Sequence, residues 1–353
     1  MTDITQSIIP ISRARRVFTN HKNYVAGVAV FPHLNGHRMV TGSGDKTLCL
    51  WDWKDGVVLK KMVGHTAWVN EMVVSGDGRL IVSCDECGEF IAWDGDTGES
   101  LTKPKAIKAH SEGITSLDIS PDGAVLATGS WDRTIKLWRT DTWKIHRNPI
   151  DVEEKINRVR FSPSGKLLAV ATQDNIQIWN PNTSEFIAKL TAECLPLVWA
   201  PDGTRLLSGG FRDNHTIREW DTSTWKQVGD SWSGHNSDPS WIRALAINSA
   251  GTLLVSASDD KSVRLWRISD RRIIAVFSHS EVVYCVTFSP DGKHILCGGQ
   301  DNNVTEWNLP EDTFHQDTRN AETSSVSLSP TTISPRSTKL RHRILRMTKG
   351  RTM

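Results

Sequence analysis

No run of apolar residues in this sequence is long enough to cross a bilayer, and its start, MTDITQSIIPISRARRVF, lacks the pattern of a secretory signal. The six cysteines show no disulfide framework, which makes a reducing cytosol or nucleus the expected setting. The Asn-x-Ser/Thr triplets at Asn182, Asn214 and Asn303 are then expected to be chance matches. No convincing amphipathic helix precedes residue 310. H-E-x-x-H, G-x-S-x-G and G-x-G-x-x-G are also missing, so nothing points to an enzyme, a metal or a cofactor. Overall charge is nearly balanced, 42 basic residues against 40 acidic. Locally it is not. Arg336, Lys339, Arg341, Arg343, Arg346, Lys349 and Arg351 give the last eighteen residues +7 with no acid, which leaves 2 − 7 = −5 for the rest.

What is present is a period. Trp51, Trp93, Trp138, Trp179, Trp220, Trp266 and Trp307 are 42, 45, 41, 41, 46 and 41 residues apart. Each ends an alternating run, such as LCLWD, IKLWR or VRLWR, which is the signature of a half-buried strand. Most units carry a histidine about thirty residues upstream, as in GHTAWVNEMVV and AHSEGITSLDI. Turns such as SPDG (120–123 and 289–292), APDG (200–203) and SPSG (162–165) suit tight hairpins. A chain of 353 residues has room for two domains or one large all-β barrel or propeller. The spacing chooses seven all-β units of one kind.

A GH…WD unit of this length resembles the WD repeat, and the resemblance covers about residues 15–309. It implies a seven-bladed β-propeller, each unit supplying a four-stranded blade. ARRVFTNH (14–21) aligns with LKKMVGH (59–65), so Arg15 to Phe18 are expected to close the last blade as its outer strand. Residues 1–14 are left as an extension and 310–353 as a disordered basic tail, polar and rich in Ser and Thr. Its Ser-Pro pairs at Ser329 and Ser334 are expected phosphorylation sites, and its basic run an import or polyanion-binding segment.

The resemblance also implies a hydrogen-bonded His, Ser/Thr, Asp and Trp within each blade. Three sets match in full: His21, Thr41, Asp45 and Trp51; His110, Thr128, Asp132 and Trp138; His235, Ser256, Asp260 and Trp266. In the second blade Cys87 stands where the aspartate is expected, in the seventh Cys297 replaces the hydroxyl, and the fourth and fifth lack the histidine. The fourth and fifth blades are therefore expected to be the softer side of the ring. A hydrolase triad is excluded by the repetition, since three active sites at one spacing have no use. "GSGDKT" (42–47) lacks the Gly-Lys-Ser/Thr and following helix of a phosphate loop, and Cys84 and Cys87 have no second pair to complete a zinc site.

Function is then expected on loops held rigid by the blades. By the family's pattern the narrower top face carries Tyr24, Trp68, Trp131, Arg212, Trp241, Arg243 and Tyr284. Such aromatic and arginine side chains dominate binding hot spots, because they bury much area and keep a polar handle. The expectation is an interaction scaffold, with a protein or peptide ligand, no membrane, and nucleic acid only through the tail. A monomer within a larger complex is the expected state. The alternative is a substrate receptor of a cullin-type ubiquitin ligase. MVTGSGDKTLCLWDWK (39–54) resembles the adaptor-binding box, with Trp51, Asp52 and Lys54 matching its ending.

Overall fold

The structure, a computed structural model, describes residues 8–32, 37–102, 106–210, 215–235 and 241–310. Beyond Pro310 the expected tail lies outside the described residues, as does Arg212. Among the described residues there are 28 strands and no helix. They form seven sheets, one for each tryptophan of the repeat. Counted along the chain, the blades run from 25 to 63, 69 to 108, 114 to 151, 156 to 191, 194 to 221, 242 to 278 and 283 to 308.

Alternation builds each blade. In Thr134–Arg139, Ile135 and Leu137 are buried while Thr134 and Lys136 are half-buried. A blade is apolar on both faces, so it must pack against a blade on either side. Seven hydrophobic clusters do this, each shared by two neighbours. The SPDG turns reverse the chain between strands. Ser120 Oγ donates to Asp122 Oδ1 at 2.5 Å, and that oxygen accepts the backbone N–H of Ala124 at 3.0 Å. Gly123 follows at φ +74°, a conformation that glycine adopts without strain.

Ring closure is as the sequence implies. Arg16–Thr19 pairs antiparallel with Asn303–Asn308 and becomes the outer strand of blade 7. Arg15 Nη1 donates to Glu306 Oε1 at 2.6 Å, although Glu306 is 0% exposed. Phe18 is buried edge-on against Trp51 of blade 1, 5.8 Å between centroids.

Two elements differ from the repeat. Ile9–Ile11, in the supposed extension, is a fifth strand of blade 6, parallel to Arg272–Ser278 with Ile9 opposite Ala275 and Ile11 opposite Phe277. Both isoleucines pack on the core shared by blades 6 and 7. Bonding residues alternate along a parallel pair, so Pro10 between them turns its missing N–H outward, where the ladder needs no donor. Blade 5 has three strands among the described residues, with single bridges of Ile217 to Trp232 and Trp220 to Gln227 in place of the fourth.

Candidate protein-interaction face

The loops of the top face are tied down by buried polar chains. In blade 3, Trp138 Nε1 donates to Thr128 Oγ1 at 3.1 Å, His110 Nε2 lies 2.8 Å from that hydroxyl, and His110 Nδ1 is 2.9 Å from Asp132. One direction satisfies every atom: indole to hydroxyl, hydroxyl to imidazole, and the second imidazole N–H to carboxylate. That requires a neutral ring, and burial drives the His110 pKa down to about 4 even though Asp132 pulls it upward. Blade 1 repeats the pattern through His21, Thr41, Asp45 and Trp51 at 2.8, 3.1 and 2.9 Å. Blade 6 does so through His235, Ser256, Asp260 and Trp266 at 2.7, 2.7 and 2.8 Å.

Blade 2 completes its chain with a residue that the pattern does not name. Cys87 does sit at the usual aspartate position, but Asp85, two residues earlier, replaces it. His65 Nδ1 is 2.8 Å from Asp85 and its Nε2 2.7 Å from Ser83, which also accepts from Trp93 at 2.8 Å. Blade 4 has a different solution. Glu154, in the histidine's place, accepts from Thr172 Oγ1 and from Asn175 Nδ2, both at 2.6 Å, while Trp179 turns to Gln177. Burial pushes the Glu154 carboxyl upward, but these donors hold it below its usual range. In blade 5 Trp220 donates to Ser208 at 2.9 Å. In blade 7 Cys297 Sγ lies 3.4 Å from His279 Nε2, a weaker pairing than an oxygen gives.

On this frame the aromatic residues are not scattered. Trp68 meets Tyr24 edge-on at 6.1 Å, and Tyr24 meets Tyr284 at 5.5 Å. The Arg243 guanidinium lies 5.7 Å from the Tyr284 ring and 4.3 Å from that of Trp241. Asp259 holds the guanidinium with two bonds, of 2.6 and 2.9 Å. Five of the seven residues proposed from the sequence thus form one arc over blades 2, 1, 7 and 6. Trp131 sits elsewhere on the same face with Lys155 Nζ 5.3 Å above its ring. Trp68 and Trp131 are the most open, at 45% and 41% exposure.

Beneath the arc runs a central channel of about 360 Å³. Its walls differ. Blades 1, 6 and 7 supply Ala26, Val28, Ala244, Ala246 and Val286, whereas blades 2 to 4 supply Glu71, Asp118, Arg158 and Arg160. Glu71 accepts from Arg158 and, at 2.6 Å, from Arg160, and its other oxygen accepts the N–H of Leu117 at 3.1 Å. Burial pushes the Asp118 carboxyl up to about 6 against the pull of Arg160. Sequence reading missed this cluster. Bulges between Val69 and Glu71 and between Ile156 and Arg158 shift the alternation by one residue, which defeats a period-2 reading of these strands.

Of the possible adaptor box, Trp51 is buried in its polar chain, and Lys54 has an exposed side chain whose backbone carbonyl accepts from Arg16 at 2.6 Å. Among the described residues no group of three or more His, Cys, Asp or Glu side chains is placed to hold a metal ion, and no helix is long and apolar enough to cross a membrane.

The family model of the WD domain, G-beta repeat, matches residues 12–52, 56–94, 101–139, 142–180, 226–267 and 271–308. The inner strands of blade 5 fall in the gap. The chain is similar to the nuclear distribution protein PAC1 of Arthroderma otae, 25% identical over 80% of this chain and 68% of that protein. It is 23% identical to autophagy-related protein 16 of Arabidopsis thaliana over 86% of this chain, spanning 59% of that relative's length. A ribosome biogenesis protein WDR12 homolog of Drosophila pseudoobscura pseudoobscura is 24% identical over 80% of this chain and 72% of its own.

Proposed function

Since the chain belongs to the WD-repeat family, we propose that it is a non-enzymatic scaffold that docks a peptide or protein segment on the top face of its propeller. The arc from Trp68 to Trp241 carries this reading. Rings packed edge-on and an arginine held by Asp259 are already ordered, so a partner that lies on them meets little entropic cost of ordering. The polar chains below repeat from blade to blade, while the arc does not. Repetition serves the fold, and the unrepeated surface serves recognition.

Quantitative affinity purification of the wild type beside Trp68→Ala and Trp131→Ala tests this. Partner recovery is expected to fall by an amount equal to about 2 kcal/mol or more, some thirtyfold, for a hot-spot ring. Unchanged recovery from both variants overturns the reading. A cullin and its adaptor among the recovered proteins would assign the chain to the alternative class. The relatives include a nuclear distribution protein and a ribosome biogenesis protein, which supports a cytoplasmic or nuclear setting. A fluorescent fusion with and without residues 336–353 tests the basic run as an import signal, and identical distributions remove that idea.

A further inference from the structure

The molecule already shows how a strand is added to the flank of a blade: Ile9–Ile11 lies along Arg272–Ser278, the outer strand of blade 6. Blade 4 presents the same kind of edge. Its outer strand, Glu185–Thr191, ends its sheet with no further strand among the described residues. The two ladders align through Trp266, opposite Ile273, and Trp179, opposite Phe186. Ala188 and Leu190 then take the places of Ala275 and Phe277, the residues that Ile9 and Ile11 face, and Lys189 takes the place of Val276 opposite Pro10. An alanine at the first position leaves room for an incoming isoleucine. Blade 1 denies that room, because Lys60 stands there and its Nζ is 2.6 Å from Glu99.

Two further features mark the blade 4 edge. Phe186 and Ile187 are 46% and 41% exposed, whereas their blade 6 counterparts Ile273 and Ile274 are half-buried. Lys189, in the middle of the edge, repels a strand that brings a basic residue opposite it and pairs with one that brings an acid. Its amino group, 3.5 Å from Glu154 Oε1, is half exposed and within reach of a second carboxylate.

We propose that the outer edge of blade 4 is a docking site for an extended segment of a partner protein. The segment adds as a parallel fifth strand, with apolar residues two apart over Ala188 and Leu190 and an acidic residue between them opposite Lys189. Main-chain bonds supply the affinity and the lysine selects the sequence. This site lies on the flank and does not depend on the top face.

The probe is a fluorescein-labelled peptide, SIIDISR, which is residues 7–13 of the chain with aspartate in place of the proline. Fluorescence anisotropy is read against the full chain, whose blade 6 edge is already filled. SIIDISR is expected to saturate and SIIKISR to bind at least about tenfold more weakly. Lys189→Glu is expected to reverse that order. Ala188→Lys, which copies blade 1, should lose both peptides, while Lys61→Glu and Trp68→Ala should bind as the wild type does. Lys189→Glu also sets a carboxylate beside Glu154. If it melts early, Lys189→Gln takes its place and should make the two peptides bind alike. No saturation of the wild type at millimolar peptide, or titrations unchanged by Ala188→Lys and by the Lys189 variants, overturns the proposal.

Discussion

Blade 3 and blade 5 come from the same repeat and are held differently. Blade 3 buries a complete chain from Trp138 through Thr128 and His110 to Asp132. Among the described residues blade 5 keeps the first link alone, Trp220 to Ser208, and shows no fourth strand. Breaking a buried chain strands a polar group, at a cost of about 1–3 kcal/mol, so each complete chain resists gradual loss. Among the described residues blade 5 has less to strand, and it is also where the family model fails to match. Blade 4 stands between them. It has lost the histidine but rebuilt the node with Glu154, a carboxylate fed by two donors. A satisfied node, more than the histidine itself, is expected to separate firm blades from soft ones.

Several changes should break or sharpen this contrast. The largest effect is expected from deleting residues 1–20, which removes Ile9–Ile11 and all of Arg16–Thr19 from two blades at once. A loss of about 3 kcal/mol or more is expected in denaturant melts. A cooperative transition at the wild-type denaturant midpoint refutes the closure.

Acid should act nearly as strongly. The His110 pKa is about 4 in the folded blade and 6.5 as a free side chain, so below 6.5 the unfolded chain takes up its proton first. The stability present above 6.5 is then lost as pH falls toward 4, by up to about 1.4 kcal/mol per unit. Burial lowers His21 and His235 in the same direction. Asp118 opposes them. Its folded pKa of about 6 lies above the free value of 3.8, so its ionisation costs stability as pH rises between those values. The histidines outnumber it, and urea melts from pH 7 to 4.5 are expected to show a net fall. Asp118→Asn should leave a steeper fall, because the opposing slope is gone.

Within blade 2, Asp85→Ala and Cys87→Ala separate the true node from the expected position. Asp85 meets His65 and accepts the N–H groups of Cys87 and Glu89, so about 2–3 kcal/mol is expected from its loss. Cys87 is exposed, and its replacement should cost about 0.5 kcal/mol or less. Equal effects would return the node to the position that the repeat assigns. The smallest expected change is that of Trp131→Ala on stability, about 0.5 kcal/mol or less, because the ring stands out from a loop beside Lys155. Its neighbour Asp132, replaced by alanine, should cost about 1–3 kcal/mol and reduce binding no further than that loss explains.

Much of this was legible in the sequence, and the parts that were not share a cause. Seven tryptophans at even spacing gave the ring, and the alignment of ARRVF with LKKMV gave its closure. Ile9–Ile11 escaped because three residues carry no period, and their partners lie more than 260 positions away. Asp85 and Glu154 escaped because a family pattern names positions, whereas a hydrogen bond asks only for a group within reach. The top-face residues could be proposed one by one, but their contacts in the arc could not. Its ring contacts join blade 1 to blade 7, which are neighbours only after the chain has closed.

Native-state hydrogen exchange, resolved blade by blade, tests the contrast most directly. Amide protection follows local opening, so it ranks the blades without a mutation. The inner strands of blades 1, 2, 3, 4 and 6 are expected to exchange together and late, and those of blade 5 first, with Cys194–Trp199 and Ile217–Asp221 ahead of the rest. Uniform protection around the ring, or blade 5 as the last to open, would contradict the claim that satisfied buried nodes hold the blades.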